Sequence, residues 1–278
     1  MSSESEISLI IYSNNIQNVV DKIKSIGNID GFRIKYVEDV TILDTYFDND
    51  IGLLHKKKDT LRIRIKNANV LVTLKGPPKY QVHSIGRQEY EYDWSKGSFT
   101  KISEHLKDLL GIDIKNMDVY FDDDPIKTFD QIGFKEIHKH TNNRKIFDIT
   151  RVNDLKNSIV SEMDVDNVTF HFKSNNDSLN VSVINIEIEK KSKTNEDQTI
   201  AKNITKYLKQ EFGSDSVIEW RYGKLLLGKG IGELYKINEL KNYIGFDGYI
   251  KNNILDKIKD YIQKGIIWIY KNTLVLIF

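Results

Sequence analysis

The stretch "INIEIEK", residues 184–190, alternates apolar and charged residues, with Ile184, Ile186 and Ile188 on one side and Glu187 and Glu189 on the other. Only a β-strand separates residues this way, because its successive side chains point to opposite faces. The same alternation recurs through the chain. In "LRIRI" Leu61, Ile63 and Ile65 oppose Arg62 and Arg64, and in "LVTLK" Val72 and Leu74 oppose Thr73 and Lys75. In "RQEYEYDW" Arg87, Glu89, Glu91 and Asp93 oppose Tyr90, Tyr92 and Trp94. Two architectures satisfy this pattern. An open antiparallel sheet would rest its apolar face on a core and wet the other. A closed barrel would turn the apolar face outward against helices and line its bore with the charges. Charges removed from water cost several kcal/mol each unless they are paired or bound to metal, so in the second case basic and acidic strands must meet.

The rest of the chain supplies strands and helices in an α+β order. "EISLIIYS", "FRIKYVEDVTILDTYFD", "GFKEIHKH", "RKIFDIT", "VTFHFK" and "LNVSVINIEIEK" read as strands, the last two joined by "SNND". "IQNVVDKIKSIG", "FTKISEHLKDLLGI", "EDQTIAKNITKYLKQEFG" and "YIKNNILDKIKDYIQKG" carry helical periodicity. Gly228, Gly230 and Gly232 read as a flexible junction, and "HKKKD" at 55–59 as a solvated basic loop. "GIIWIY" and "TLVLIF" suggest a terminal hairpin, making residues 231–278 a small helix-helix-hairpin appendage that resembles a miniature winged helix.

Lys plus Arg is 41 against 40 for Asp plus Glu, so no global field draws the 278-residue chain to nucleic acid or an acidic membrane. A nucleic-acid partner is not expected except through the appendage. Without cysteine there is no disulfide, thiolate metal site or cysteine nucleophile. The opening "MSSESEISLIIY" does not read as a secretory signal, and the most apolar run is interrupted by Lys271 and Asn272 and is shorter than the ~20 residues of a spanning helix. The expectation is a cytoplasmic protein without a membrane partner; its oligomeric state is not legible.

"DTYFDNDIGLLHKKKDTLRIRI", "VTLKGP", "GRQEYEYDW" and "INIEIEK", in this order, resemble the triphosphate tunnel metalloenzymes, or CYTH domain family, which includes class IV adenylate cyclases, thiamine triphosphatase and inorganic triphosphatases. The resemblance covers roughly residues 4–228 and implies an antiparallel eight-stranded β-barrel, the triphosphate tunnel, with flanking helices. It implies that Arg62, Arg64, Lys75, Arg87, Arg144 and Arg221 bind phosphate, with Lys224 as the alternative to Arg221. It implies Mg²⁺ or Mn²⁺ held by Glu6, Asp164, Glu187 and Glu189, with Asp166 as the alternative to Asp164, and Glu89 and Glu91 in support. Glu6, Glu187, Glu189, Arg62 and Lys75 would carry the chemistry.

The family's Glu-x-Glu-x-Lys on the first strand is incomplete in "ESEISLI", where either Glu4 and Glu6 or Glu6 alone keep the carboxylates and no lysine follows. The implied activity is divalent-metal-dependent hydrolysis of a small-molecule triphosphate: inorganic, nucleoside or thiamine. The alternatives are a class IV-type adenylate cyclase and a non-catalytic polyphosphate- or nucleotide-binding module. His138 and His140 alternate on a strand without a third ligand at a recognisable spacing, which argues against a metal site there.

Overall fold

The computed structural model describes residues 2–80, 85–110, 119–173, 178–191, 196–251 and 253–264. Eight strands form its frame: β1 (Ser2–Ile11), β2 (Phe32–Asn49), β3 (Thr60–Lys66), β4 (Asn69–Lys75), β5 (Ile85–Asp93), β6 (Phe134–Arg151), β7 (Ile159–Lys173) and β8 (Ser178–Lys190). They pair antiparallel in the order β1–β8–β7–β6–β2–β3–β4–β5. The circuit returns to its start because β1 has two partners along its length. Ser2–Glu6 lie opposite β5, with Ser2 facing Glu89 and Glu6 facing Ile85. Glu6–Ile11 lie opposite β8. A short strand, β9 (Val217–Glu219), adds to β1 at Leu9–Ile11, and two-residue strands at Asn28–Ile29 and Lys79–Tyr80 sit on β2 and β5. The two strands expected at "GFKEIHKH" and "RKIFDIT" are one strand, since Asn142 and Asn143 keep the ladder to Ile42 and Thr41.

The apolar faces point outward. Ile184, Ile186 and Ile188, with Met163 and Val165 of β7, pack against Val19, Val20 and Ile23 of α1 (Ile16–Ile26) and Ile200, Ile204 and Leu208 of α5 (Glu196–Phe212). Leu61, Ile63, Val72 and Leu74 pack against α3 (Lys96–Leu110) and α4 (Pro125–Gln131), with Tyr90, Tyr92 and Trp94 at the edge of that cluster. Each such side chain removed from water contributes about 1.5–3 kcal/mol. These helices therefore cover the outside of the strand circuit.

The inner face changes character along its length. The side of β8 that carries Glu187 continues through Val183 and Val181, and the side of β7 that carries Asp164 and Asp166 continues through Val168 and Phe170. These apolar residues and Ile10 pack on Leu226, Leu227, Ile231 and Leu234 of α6 (Gly223–Lys236), backed by Ile254, Leu255 and Ile258 of α7 (Ile254–Gln263). Here the structure departs from expectation: Gly228, Gly230 and Gly232 are helical, not a flexible junction. A Cβ at Gly228 would stand 2.3 Å from the His138 ring, and one at Gly230 2.4 Å from Ile258. Glycine costs helix stability, but here it lets α6 approach the strands and α7 closely.

The boundary near residues 228–231 falls inside α6, and residues 231–264 share its apolar cluster with β7 and β8. The expected terminal hairpin at 265–278 and the "SNND" turn at 174–177 lie outside the described residues. No helix among the described residues is long and apolar enough to cross a membrane.

The close contact at Gly230 can be tested. Gly230→Ala should lower stability by about 1–3 kcal/mol, the usual cost of overpacking, read as a lower thermal midpoint. An unchanged midpoint would mean that α6 and α7 are not pressed together there.

Candidate active site

A cavity of about 310 Å³ opens into the polar part of the bore. Among the described residues nine basic and nine acidic side chains line it, so the cavity as a whole draws neither sign; β3 and β4 contribute only cations, β1, β7 and β8 only carboxylates, and β5 both. Arg62, Arg64, Lys66, Lys75 and Arg87 come from β3, β4 and β5. Glu6, Glu162, Asp164, Glu187 and Glu189 come from β1, β7 and β8. Strand register builds the acidic wall in rows: Glu6 faces Glu189, which faces Glu162, and in the next row Ser8 faces Glu187, which faces Asp164. Ser8 Oγ donates to Asn185 Oδ1 at 3.3 Å. Among the described side chains of the N-terminal motif, Glu6 lines the cavity and the serine beyond it, Ser8, is buried.

The basic wall is held by carboxylates of its own. Arg64 donates to both oxygens of Asp44 at 2.8 Å. Arg62 lies 3.6 Å from Asp44, 3.7 Å from Glu89 and 3.4 Å from Glu91, and donates to Thr73 at 3.2 Å. Lys75 contacts Glu89 at 3.1 Å, so Glu89 and Glu91 orient the cations beside them. Burial disfavours the charge on Asp44, but Arg62 and Arg64 outweigh it and hold the carboxyl well below its usual range.

Between the walls stands Arg144. Its guanidinium forks onto Asp166 at 2.8 and 2.9 Å, touches Glu187 at 3.1 Å and contacts Asp164. Lys224 reaches Asp166 at 3.1 Å and also bonds Glu187. Burial opposes charge on Asp166 and Glu187, yet the two cations keep both carboxyls below normal. Asp164 goes the other way: burial outweighs Arg144 and raises it to about 7. Its Oδ1 is buried without a hydrogen-bond partner.

One expected residue stands elsewhere. Arg221 has a half-exposed side chain, lies 3.8 Å from Glu219 and does not line the cavity. Trp220 is buried just after β9, and the chain reverses at Gly223 (φ 68), so the first cation to point inward is Lys224 at the start of α6. The expectation at Arg221 is therefore corrected to its alternative, Lys224. The remaining expected residues, Glu6, Arg62, Arg64, Lys75, Arg87, Glu89, Glu91, Arg144, Asp164, Glu187 and Glu189, all line one cavity. His138 and His140 lie deeper, against Tyr46, Phe170 and Gly228.

Residues that the sequence reading missed also line the cavity. Asp44 alternates with Tyr46 in "LDTYF", the same signal that marked Arg62 and Arg64. His55 and Asp59 belong to a segment read as solvated, yet are 7% and 3% exposed. No periodicity in that short turn could have revealed this.

Among the described residues no three Asp, Glu or His side chains already converge as a metal-binding group. The donor chemistry nevertheless fits a hard cation, which prefers carboxylate oxygens. Asp164 Oδ1 is buried without a partner, beside Glu187 on the adjacent strand. A cation there would compete with Arg144 and Lys224.

The CYTH domain profile matches residues 17–218. The chain belongs to the CYTH domain family. Among solved structures, one from Hippeastrum, named as a candidate adenylyl cyclase with a dominant triphosphatase activity, is 15% identical with a TM-score of 0.51, covering 85% of this chain and 97% of its own. It shares the fold. A candidate adenylate cyclase from Bacillus halodurans is 16% identical with a TM-score of 0.43, covering 82% of this chain and 98% of its own. The Mimivirus capping enzyme triphosphatase is 10% identical with a TM-score of 0.37, covering 74% of this chain and 88% of its own. No curated protein sequence matches the chain.

The raised carboxyl of this CYTH domain has a measurable consequence. An unfolded aspartate titrates near 3.8, whereas Asp164 keeps its proton to about 7. Between those values the native state binds the extra proton, so this contribution to stability is present at low pH and is lost as pH rises through 7. Asp164→Asn should remove that slope and raise the thermal midpoint at pH 8 by about 2–5 °C. An unchanged pH profile of melting would show Asp164 ionised at neutral pH.

Proposed function

We propose that this CYTH protein is a divalent-metal-dependent phosphohydrolase of a small-molecule triphosphate. The observation that carries this reading is the arrangement of charge in a single cavity: the cations of β3–β5, with Glu89 and Glu91 orienting them, lie across from the carboxylates of β1, β7 and β8. Such a site complements a polyanion and a cation together, while offering no net attraction to either alone. Arg62, Lys75 and Arg87 would bind phosphate oxygens, joined by Arg144 and Lys224 from the middle of the cavity. A guanidinium offers a fixed fork to phosphate, and a lysine a mobile charge. Arg64 is committed at two nitrogens to Asp44, so its part is chiefly to hold that carboxylate in place.

Glu6, Glu187, Glu189 and Asp164 would hold Mg²⁺ or Mn²⁺. When bound, such an ion supplies Lewis-acid charge to phosphate oxygens and acidifies bound water. The chain's own cations would stabilise charge on the transferring phosphoryl group from fixed positions, without reorganising during reaction. The Hippeastrum protein, with its dominant triphosphatase activity, supports hydrolysis over cyclisation as the first choice.

The test is a product-resolved screen of inorganic triphosphate, ATP and thiamine triphosphate with Mg²⁺ and Mn²⁺. Orthophosphate release is expected, and the Glu187→Gln, Glu189→Gln double variant should reduce it at least 100-fold, in the range of losing a preorganised electrostatic contribution. Cyclic AMP with pyrophosphate would replace the reading with a cyclase. Tight binding without product would replace it with a binding module.

A further inference from the structure

The turn between β2 and β3 places a carboxyl where the basic wall would hold phosphate. The helix α2 (Leu53–Lys57) ends at Lys58, whose left-handed backbone (φ 64) lets its N–H donate to His55 O at 3.0 Å, while Asp59 N–H donates to Leu54 O at 2.9 Å. This closure turns Asp59 inward, 3% exposed, onto a cavity wall shared with Lys58, Thr60, Lys75 and Arg87. The next residue, Thr60, pairs across the strands with Lys75. Asp59 Oδ1 is buried with no hydrogen-bond partner.

Lys57 and Arg87 act on this carboxyl, and further charged groups line the same cavity. The α2 turn contributes Lys57, Lys58 and His55, β4 contributes Lys75, and β5 contributes Arg87 and Glu89. Lys57 and Arg87 favour the ionised form, but burial outweighs them and lifts the carboxyl to about 6. A phosphate chain lying on Lys75 and Arg87 would neutralise that support and add negative charge of its own. Both effects drive the carboxyl to take a proton. It then faces phosphate as a donor.

Resting on the triphosphatase reading, we propose that Asp59 is the proton donor of this cavity, taking up a proton as triphosphate binds and delivering it to the leaving phosphate oxygen. The step balances without a further reactant. Water oxygen bonds to the terminal phosphorus, and the bridging P–O bond breaks with its electron pair on the diphosphate. The Asp59 proton passes to that oxygen. One proton of the attacking water leaves to solvent, from which Asp59 is reprotonated. A donor whose acidity lies near the working pH suits such a transfer.

The experiment is calorimetric binding of inorganic triphosphate with Mg²⁺ at pH 7, repeated in buffers of different ionisation enthalpy, on wild type and Asp59→Asn. The wild type should take up more protons than the variant, by roughly 0.4–0.8 per site, a shift of one to two units in one group's acidity. Affinity should stay within about threefold, because the amide still donates a hydrogen bond. In steady state Asp59→Asn should lose on the order of 10²–10⁴ in kcat with little change in KM, and Asp59→Glu should recover part of it. Equal proton uptake by both proteins, or an unchanged kcat in Asp59→Asn, overturns the assignment while leaving the triphosphatase reading intact. Failure of the wild type to bind triphosphate overturns both.

Discussion

Everything in this protein follows from placing charge inside a ring of strands. Each buried ion would cost several kcal/mol alone, so the ring can exist only if its charges compensate one another. The strands do this in two ways. Asp44, Glu89 and Glu91 sit among the arginines and lysine of the basic wall, and Arg144 and Lys224 sit among the carboxylates of the acidic wall. Where compensation is incomplete, burial makes the carboxyl less acidic instead, lifting Asp164 to about 7 and Asp59 to about 6. The same residues that compensate one another in the bore are those a polyanion and a cation would have to engage. Binding would therefore exchange internal ion pairs for external ones.

Much of this was legible from the sequence, because a period of two leaves no ambiguity about which residues share a face. Arg62 with Arg64, Glu89 with Glu91 and Glu187 with Glu189 all fall on the inner side, and the isoleucines between the glutamates fall under α1 and α5. Periodicity was silent on whether the charged face met water; the order of the motifs supplied that. It failed where tertiary contact overrides local preference. Gly228, Gly230 and Gly232 weaken a helix in isolation, and only the pressure of His138, Phe172 and Ile258 explains why a helix with no Cβ at those points is favoured. The choice between Arg221 and Lys224 turned on the backbone at Gly223, which no spacing rule encodes. The inward roll of Asp59 depended on a left-handed residue that is a lysine rather than a glycine or asparagine.

The glycine-lined helix also gives the site its asymmetry. Its first residues place Lys224 against Glu187 and Asp166, and its later ones bury Leu227 and Ile231 on the inner faces of β7 and β8. Polar chemistry and apolar packing are thereby joined in a single element of 14 residues. Any movement of α6 would alter the ion pairs of the acidic wall and the apolar packing on β7 and β8 together.

The double partnership of the first strand has a consequence for how such a chain emerges from synthesis. β1 is made first, but it needs β5 along one half and residues 184–189 of β8 along the other, with β9 joining at 217–219. Nearly the whole domain must be translated before its opening strand finds its neighbours. Long-range pairings of this kind are slow to form and leave strand edges exposed meanwhile. Although β1 precedes the other strands of the ring, its seating between β5 and β8 has to await β8.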